Sequence, residues 1–138
     1  MFKTQDGQIL PSVVMIDQEP DTLYFFRKVF HNLPDIKFFT MNEPNFGVVT
    51  AAQYQADVII TEIYYPRYEL NEGELLIEQL KAVCPDAKII VYSTHYEEGI
   101  IYKYTTVFGV EAYLKKVETS VEDLVRKVYE LLGLPCPI

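Results

Sequence analysis

Five times along the chain, a short β-favouring apolar run gives way to a longer stretch with helical spacing of apolar residues. This alternation constrains the fold more than any other feature of the sequence. The runs are SVVMID (12–17), IKFFTM (36–41), ADVIITE (56–62), AKIIVYS (87–93) and VEAYLK (110–115). The first is nearly all apolar and β-branched, as a parallel strand covered on both faces requires. The stretches between them read as helices over 19–33, 46–55, 72–83, 96–108 and 118–133. In the first, Leu23, Phe26, Val29, Phe30 and Leu33 recur at three- and four-residue steps, and Pro34-Asp35 stop it. The fourth is predicted helical despite its β-branched content. In the last, Ser120 or Thr119 supplies a cap, Glu122 and Asp123 sit in the first turn, and Gly133 closes it with Pro135 beyond. Strand-helix alternation of this kind predicts an α/β domain: a doubly wound parallel sheet covered by helices on both faces.

The 138 residues are enough for one domain, with the core expected over about 12–132. Apolar residues make up 49% and charged residues 23%, a balance that buries a core rather than staying disordered. No apolar run reaches the roughly 20 residues of a membrane span. The opening MFKTQDGQILPS lacks a signal-peptide pattern, so a cytoplasmic location is expected. A net charge of −8 without a basic stripe argues against nucleic acid as a partner. Cys84 and Cys136 are far apart, with no histidine cluster, and read as free thiols rather than a metal site or a disulfide. His31 and His95 read as surface or helix-end residues.

In open parallel sheets, sites lie beyond the carboxyl ends of the strands. Those ends carry Asp17, Gln18 and Glu19; Glu62; Ser93 and Thr94; and Lys115 and Lys116. The texts MIDQEP, DVIITEIYYP, IIVYST and GVEAYLKK, in that order on successive strand ends, resemble the response-regulator receiver domain of two-component signalling. The resemblance covers about residues 12–132. It implies a flavodoxin-like (βα)5 domain with strand order 2-1-3-4-5. It also implies a pocket in which an acid pair, a phosphoacceptor aspartate, a Ser or Thr and a lysine converge.

The departures from that pattern set the functional expectation. Asp17 matches the first acid, but Gln18 stands where the second acid would bind metal. Glu62 stands where the family has its phosphoacceptor aspartate. The interval from Pro66 to Gly73 is longer than in the family, and Val117 replaces a common proline. Ser93, Lys116 and Tyr113 are retained. Gln18 offers a neutral carbonyl oxygen in place of a charge, and magnesium favours hard anionic oxygens in tight octahedral geometry. Glu62 lengthens its arm by one methylene, and in-line phosphoryl transfer depends on positioning. The pocket of Asp17, Gln18, Glu62, Ser93 and Lys116 is therefore expected to be degenerate, with Glu62 paired to Lys116. The chain reads as a pseudo-receiver: an atypical stand-alone signalling module, not an enzyme, that works through a protein partner and needs no cofactor. The alternative is a working phosphoacceptor with a modified site, in which Asp17 and Glu62 would be the residual ligands of Mg2+. A small-ligand site of the flavodoxin kind is disfavoured, because DQEPDT after the first strand is acidic and not glycine-rich.

Glu19 is expected to open the first helix ahead of Pro20. Ser93 serves equally well as a local backbone cap or as a pocket residue. Eleven tyrosines raise a further possibility, that of an aromatic contact surface. By resemblance, the expected partner face combines the fourth helix, the fifth strand and the last helix, with Tyr102, Tyr104, Tyr113 and Lys115 as contact residues. Tyr102 and Tyr104 fall two apart on a helix, so both cannot point into the core. The rival surface is the loop bearing Tyr64, Tyr65 and Tyr68. Among the partners considered is a second copy of the chain.

Overall fold

The computed structural model describes residues 1–68 and 72–138. An antiparallel hairpin of β1 (Phe2–Lys3) and β2 (Ile9–Leu10) comes first. The strands β3 (Ser12–Ile16), β4 (Lys37–Met41), β5 (Val58–Thr61), β6 (Lys88–Ser93) and β7 (Ala112–Lys115) then form a parallel sheet in the order β4-β3-β5-β6-β7. Counted over these five strands, that order is the expected 2-1-3-4-5. The connecting helices are α1 (Pro20–His31), α2 (Pro44–Tyr54), α3 (Gly73–Val83), α4 (Glu98–Tyr102) and α5 (Val121–Leu132). Among the described residues, no helix is long and apolar enough to cross a membrane.

Alternate strand residues feed two cores, one on each face of the sheet. Val14, Ile16, Ile59 and Val91 pack with Ala51 of α2 and Leu76, Ile77 and Leu80 of α3. Val13, Met15, Ile60 and Ile90 pack on the other face with Leu23, Phe26 and Phe30 of α1 and Leu124, Val125 and Val128 of α5. The two-residue side-chain period of a strand makes both layers possible from one run of apolar residues. The apolar face of α1 and the ends of α5 are as expected. The Ser120 hydroxyl accepts from the Asp123 N–H at 3.1 Å, and Gly133 closes the helix at φ +70°.

Three elements differ from expectation. The N-terminal hairpin was not anticipated, since two-residue strands around a polar turn carry no readable period. Its Phe2 ring packs against Phe39 and Tyr54 at 5.9 and 6.1 Å between centroids. Helix α2 begins at Pro44, with the proline at its first position, where its missing N–H costs nothing. The stretch expected as one helix over 96–108 is instead a five-residue α4 followed by a π-helical turn over Lys103–Val107. Its β-branched residues crowd a regular helix, and the Thr105 hydroxyl bonds back to the Ile101 carbonyl at 2.7 Å.

Candidate functional site

Strand register builds the site. Ile16 on β3 lies opposite Thr61 on β5, so the next residues, Asp17 and Glu62, emerge side by side. Ser93 ends β6 opposite Lys115 of β7, and Lys116 follows. The Glu62 N–H donates to the Ile16 carbonyl at 3.1 Å, and the Lys116 N–H donates to the Ser93 carbonyl at 2.9 Å, which extends the sheet pattern into the pocket.

Lys116 bridges the two acids. Its Nζ donates to Asp17 Oδ2 at 2.7 Å and lies 3.2 Å from Glu62 Oε2. The remaining carboxylate oxygens are also engaged. Asp17 Oδ1 accepts the Glu19 N–H at 2.9 Å, and Glu62 Oε1 accepts the N–H of its own neighbour Ile63 at 2.8 Å. Side-chain exposure is 1% for Asp17, 8% for Glu62 and 12% for Lys116. Burial pushes the Asp17 carboxyl above its ordinary value, against the pull of Lys116, and the Glu62 charge adds to the rise. Burial alone would lower the Lys116 ammonium. The charge and hydrogen bond of Asp17, joined by Glu62, outweigh it and hold the ammonium above its ordinary value. The Lys116 Nζ also sits 5.6 Å above the Tyr92 ring.

Ser93 is buried, and its hydroxyl accepts the His95 N–H at 3.0 Å. It therefore caps the loop after β6. Tyr113 is half-buried, with its hydroxyl donating to the His95 carbonyl. Gln18 is half-buried and makes no side-chain hydrogen bond among the described residues. Two carboxylates stand at the site, both turned to Lys116 and backbone N–H groups, and no group of three or more acids, histidines or cysteines gathers among the described residues.

Sequence reasoning missed Tyr65, which had been grouped with Tyr64 and Tyr68 as surface. Tyr65 is fully buried, its hydroxyl donating to the Ile16 carbonyl at 2.8 Å and lying 3.2 Å from the Thr61 hydroxyl. Thr61 in turn donates to the Glu62 carbonyl at 2.7 Å. Tyr65 thus ties together the strand ends that present Asp17 and Glu62, and burial drives its phenol well above the ordinary value. A signal was present. Pro66 holds Tyr65 extended, and extension places 63 and 65 on one side with 64 on the other. Ile63 and Tyr65 are buried and Tyr64 is exposed. Part of that loop, 69–71, lies outside the described residues.

The other tyrosine expectations divide. Tyr102 is 63% exposed, as the two-residue spacing required of one member of the pair. Tyr104 is buried at 6%, which corrects its reading as a contact residue: its ring packs against Phe108 and Tyr113. Burial raises its phenol to about 12. Lys115 is half-buried and pairs with Glu118 at 3.7 Å.

No family model matches the chain, and neither does any curated protein sequence. Solved structures do match. A CheY-like response regulator receiver domain protein from Methanospirillum hungatei JF-1 aligns with TM-score 0.78 at 18% identity, covering 91% of this chain and 95% of that one. RcsB from Salmonella enterica serovar Typhimurium, bound to promoter rprA in the presence of phosphomimetic BeF3-, aligns with TM-score 0.77 at 20% identity, covering 88% and 98%. A two-component response regulator from Clostridium difficile aligns with TM-score 0.76 at 20% identity, covering 89% and 96%. At such identities the likeness is one of fold, and the fold of this chain is that of response-regulator receiver domains.

Proposed function

We propose that the chain is a receiver-fold signalling module that acts by contact with a protein partner and is not regulated by aspartyl phosphorylation. One observation carries the reading. Lys116 bridges Asp17 and Glu62 while every carboxylate oxygen of the pair already has a partner. Transfer of a phosphoryl group needs an acceptor oxygen free to attack in line and cations placed on the transferring oxygens. Here the one nearby cation is spent on two buried carboxylates, and Gln18 supplies no charge for magnesium. The module therefore works without a metal or other cofactor, performs no catalysis of its own, and acts in the cytosol. With a net charge of −8 its partner is a protein rather than nucleic acid. The contact face proposed by likeness to receivers combines the α4 region, β7 and α5, with Tyr102 as its exposed aromatic and Tyr113 and Lys115 at its margin. A second copy of the chain belongs to the same test of partners.

Intact mass spectrometry after incubation with acetyl phosphate and magnesium tests the reading. The expected result is an unchanged mass, with partial phosphorylation regained in a Gln18→Asp, Glu62→Asp double variant. A stoichiometric gain of one phosphoryl group on Glu62 of the unaltered chain would establish the modified phosphoacceptor instead.

A further inference from the structure

The open edge of the sheet is separate from the pocket and from the face around α4. Strand β4 is the edge, paired only with β3. The Lys37 N–H donates to the Pro11 carbonyl, and the Met41 carbonyl accepts from the Asp17 N–H. The odd-numbered residues therefore turn their backbone groups into the sheet, and Phe38 and Thr40 turn theirs outward. Among the described residues no backbone bond takes up those outward groups. The strand has no proline or bulge of the kind that blunts an edge, and its one charged residue, Lys37, stands at its start. From Phe38 to Met41 every residue is only half-buried.

A groove runs along this edge beside α1. Arg27 lines three cavities there, one of about 440 Å3 reaching Phe2, Phe30, His31, Lys37 and Phe38, one of about 360 Å3 along Tyr24, Lys28 and His31, and one of about 190 Å3 reaching Thr40 and Met41. The Arg27 guanidinium is held at mid-groove by a 2.7 Å hydrogen bond to the Thr40 hydroxyl. Arg27, Lys28 and Lys37 are exposed with His31 beside them, and the three cations concentrate positive charge on a chain of net charge −8. Among the described residues none of these cations forms an ion pair: Asp21 lies in the first turn of α1, and Asp35 accepts from the Tyr129 hydroxyl. The two sides of the edge differ in character. Arg27 and His31 stand on the α1 side, where Phe38 stacks on Phe30. Phe39 and Tyr54 stack on the opposite side, and Phe2 borders both, packing against Phe39 and lining the cavity of about 440 Å3 with Arg27.

We propose that this edge binds an extended acidic segment of a partner protein, which adds to the sheet as a sixth strand beside β4. Backbone bonds to Phe38 and Thr40 set its register. Acidic side chains at every second position face Arg27 and His31, and apolar side chains between them face Phe2 and Phe39. Charge complementarity selects this occupant over a second copy of the acidic chain.

The probe is an end-blocked ten-residue peptide of alternating glutamate and valine, titrated into the isotope-labelled full chain. Controls are the same peptide with lysine for glutamate, and a block peptide of five glutamates then five valines. Saturable binding of the alternating acidic peptide alone is expected, weakening at higher salt. The Phe38 and Thr40 amides should gain protection from hydrogen exchange in the unmodified chain, a readout independent of any variant. Arg27→Glu should weaken binding at least about tenfold. Thr40→Pro, which deletes an outward N–H that no sheet bond uses, should weaken it about three- to tenfold. The proposal is overturned by no saturable binding, by equal binding of all three peptides, or by unchanged exchange at Phe38 and Thr40. It is equally overturned if the chain self-associates through this edge and excludes the peptide, which would make a second copy the occupant.

Discussion

Replacing Lys116 with methionine is the sharpest test of how the pocket is held. The substitution keeps an unbranched side chain of similar length and removes the ammonium. Asp17 and Glu62 would be left as adjacent carboxylates at 1% and 8% exposure with no cation between them. Breaking a buried ion pair in this way costs about 3–5 kcal/mol. The backbone N–H groups of Glu19 and Ile63 remain to stabilise the carboxylates, which favours the lower half of that range. With a urea m-value of about 2 kcal/mol/M, the midpoint of unfolding should fall by about 1.5–2 M at pH 7. The pH dependence fixes the cause. The folded pKa of Asp17 already lies above the ordinary 3.8, and without Lys116 it rises further. Between those two values the folded state binds more protons than the unfolded state, so stability increases as pH falls. The penalty of the variant should therefore shrink as pH is lowered from 7 towards the ordinary value. In the unaltered chain Lys116 gives a signature of the same sign at the alkaline end. Its folded pKa exceeds the ordinary 10.5, so its contribution is complete below that value and is lost as pH climbs through the folded one. Circular dichroism in urea at pH 4, pH 7 and pH 11 reads all of this. A midpoint shift under about 0.5 M at pH 7, or a penalty that does not change with pH, would refute the account of Lys116 as the neutralising bridge.

Two further substitutions test the pocket's support, with a third as their control. Tyr65→Phe removes the hydroxyl that reaches Ile16 and Thr61 and should cost about 1–2 kcal/mol in denaturant unfolding, since the Ile16 carbonyl keeps its bond from Glu62. A neutral result would return Tyr65 to the role of simple filler. Gly73→Ala should destabilise by about 1–3 kcal/mol, because a Cβ there would overlap the Tyr104 hydroxyl and meet the Ile63 carbonyl at 2.8 Å. Gly99→Ala, in open space on α4, should be neutral or stabilising by up to about 1 kcal/mol. Thermal melts of the two glycine variants side by side check both signs.

The sheet was legible because each of its strands is a compact apolar run bounded by polar or turn residues. A buried parallel strand needs both of its faces apolar, and that requirement is written into the run itself. The pocket was legible for a related reason. A carboxylate or ammonium at the end of such a run is forced to the same edge of the sheet as the others, so Asp17, Glu62 and Lys116 had to converge once the strands were parallel. What escaped detection depends on contacts rather than periods. The β1–β2 hairpin is fixed by Phe2 meeting Phe39 and Tyr54, residues far away in sequence. Tyr104 is buried because the π-helical turn rotates it towards Phe108 and Tyr113, and a regular helical wheel drawn through 96–108 cannot show that rotation. Tyr65 was grouped with its neighbours by composition, although the extension imposed by Pro66 separates it from Tyr64.

Glutamate at position 62 does more than place a carboxylate at the strand end. With the extra methylene, Glu62 directs one oxygen back onto the Ile63 N–H while the other meets Lys116. Both lone-pair directions that matter are then satisfied inside the protein. In the low-dielectric setting of a strand-end pocket, an acceptor with every oxygen bonded has little to gain from an incoming anion and would lose existing bonds by receiving one. The adjacent Asp17 is bonded to the same ammonium, so the pocket holds two carboxylates and one ammonium, a balance that under the proposed function disfavours a phosphodonor. The same arrangement braces the carboxyl ends of β3 and β5 and the loop beyond β7, through the bridge from Lys116 and the strut from Tyr65. Under the proposed function the pocket is a structural tie: Lys116 joins the two acids, and the buried Ser93 holds the loop after β6.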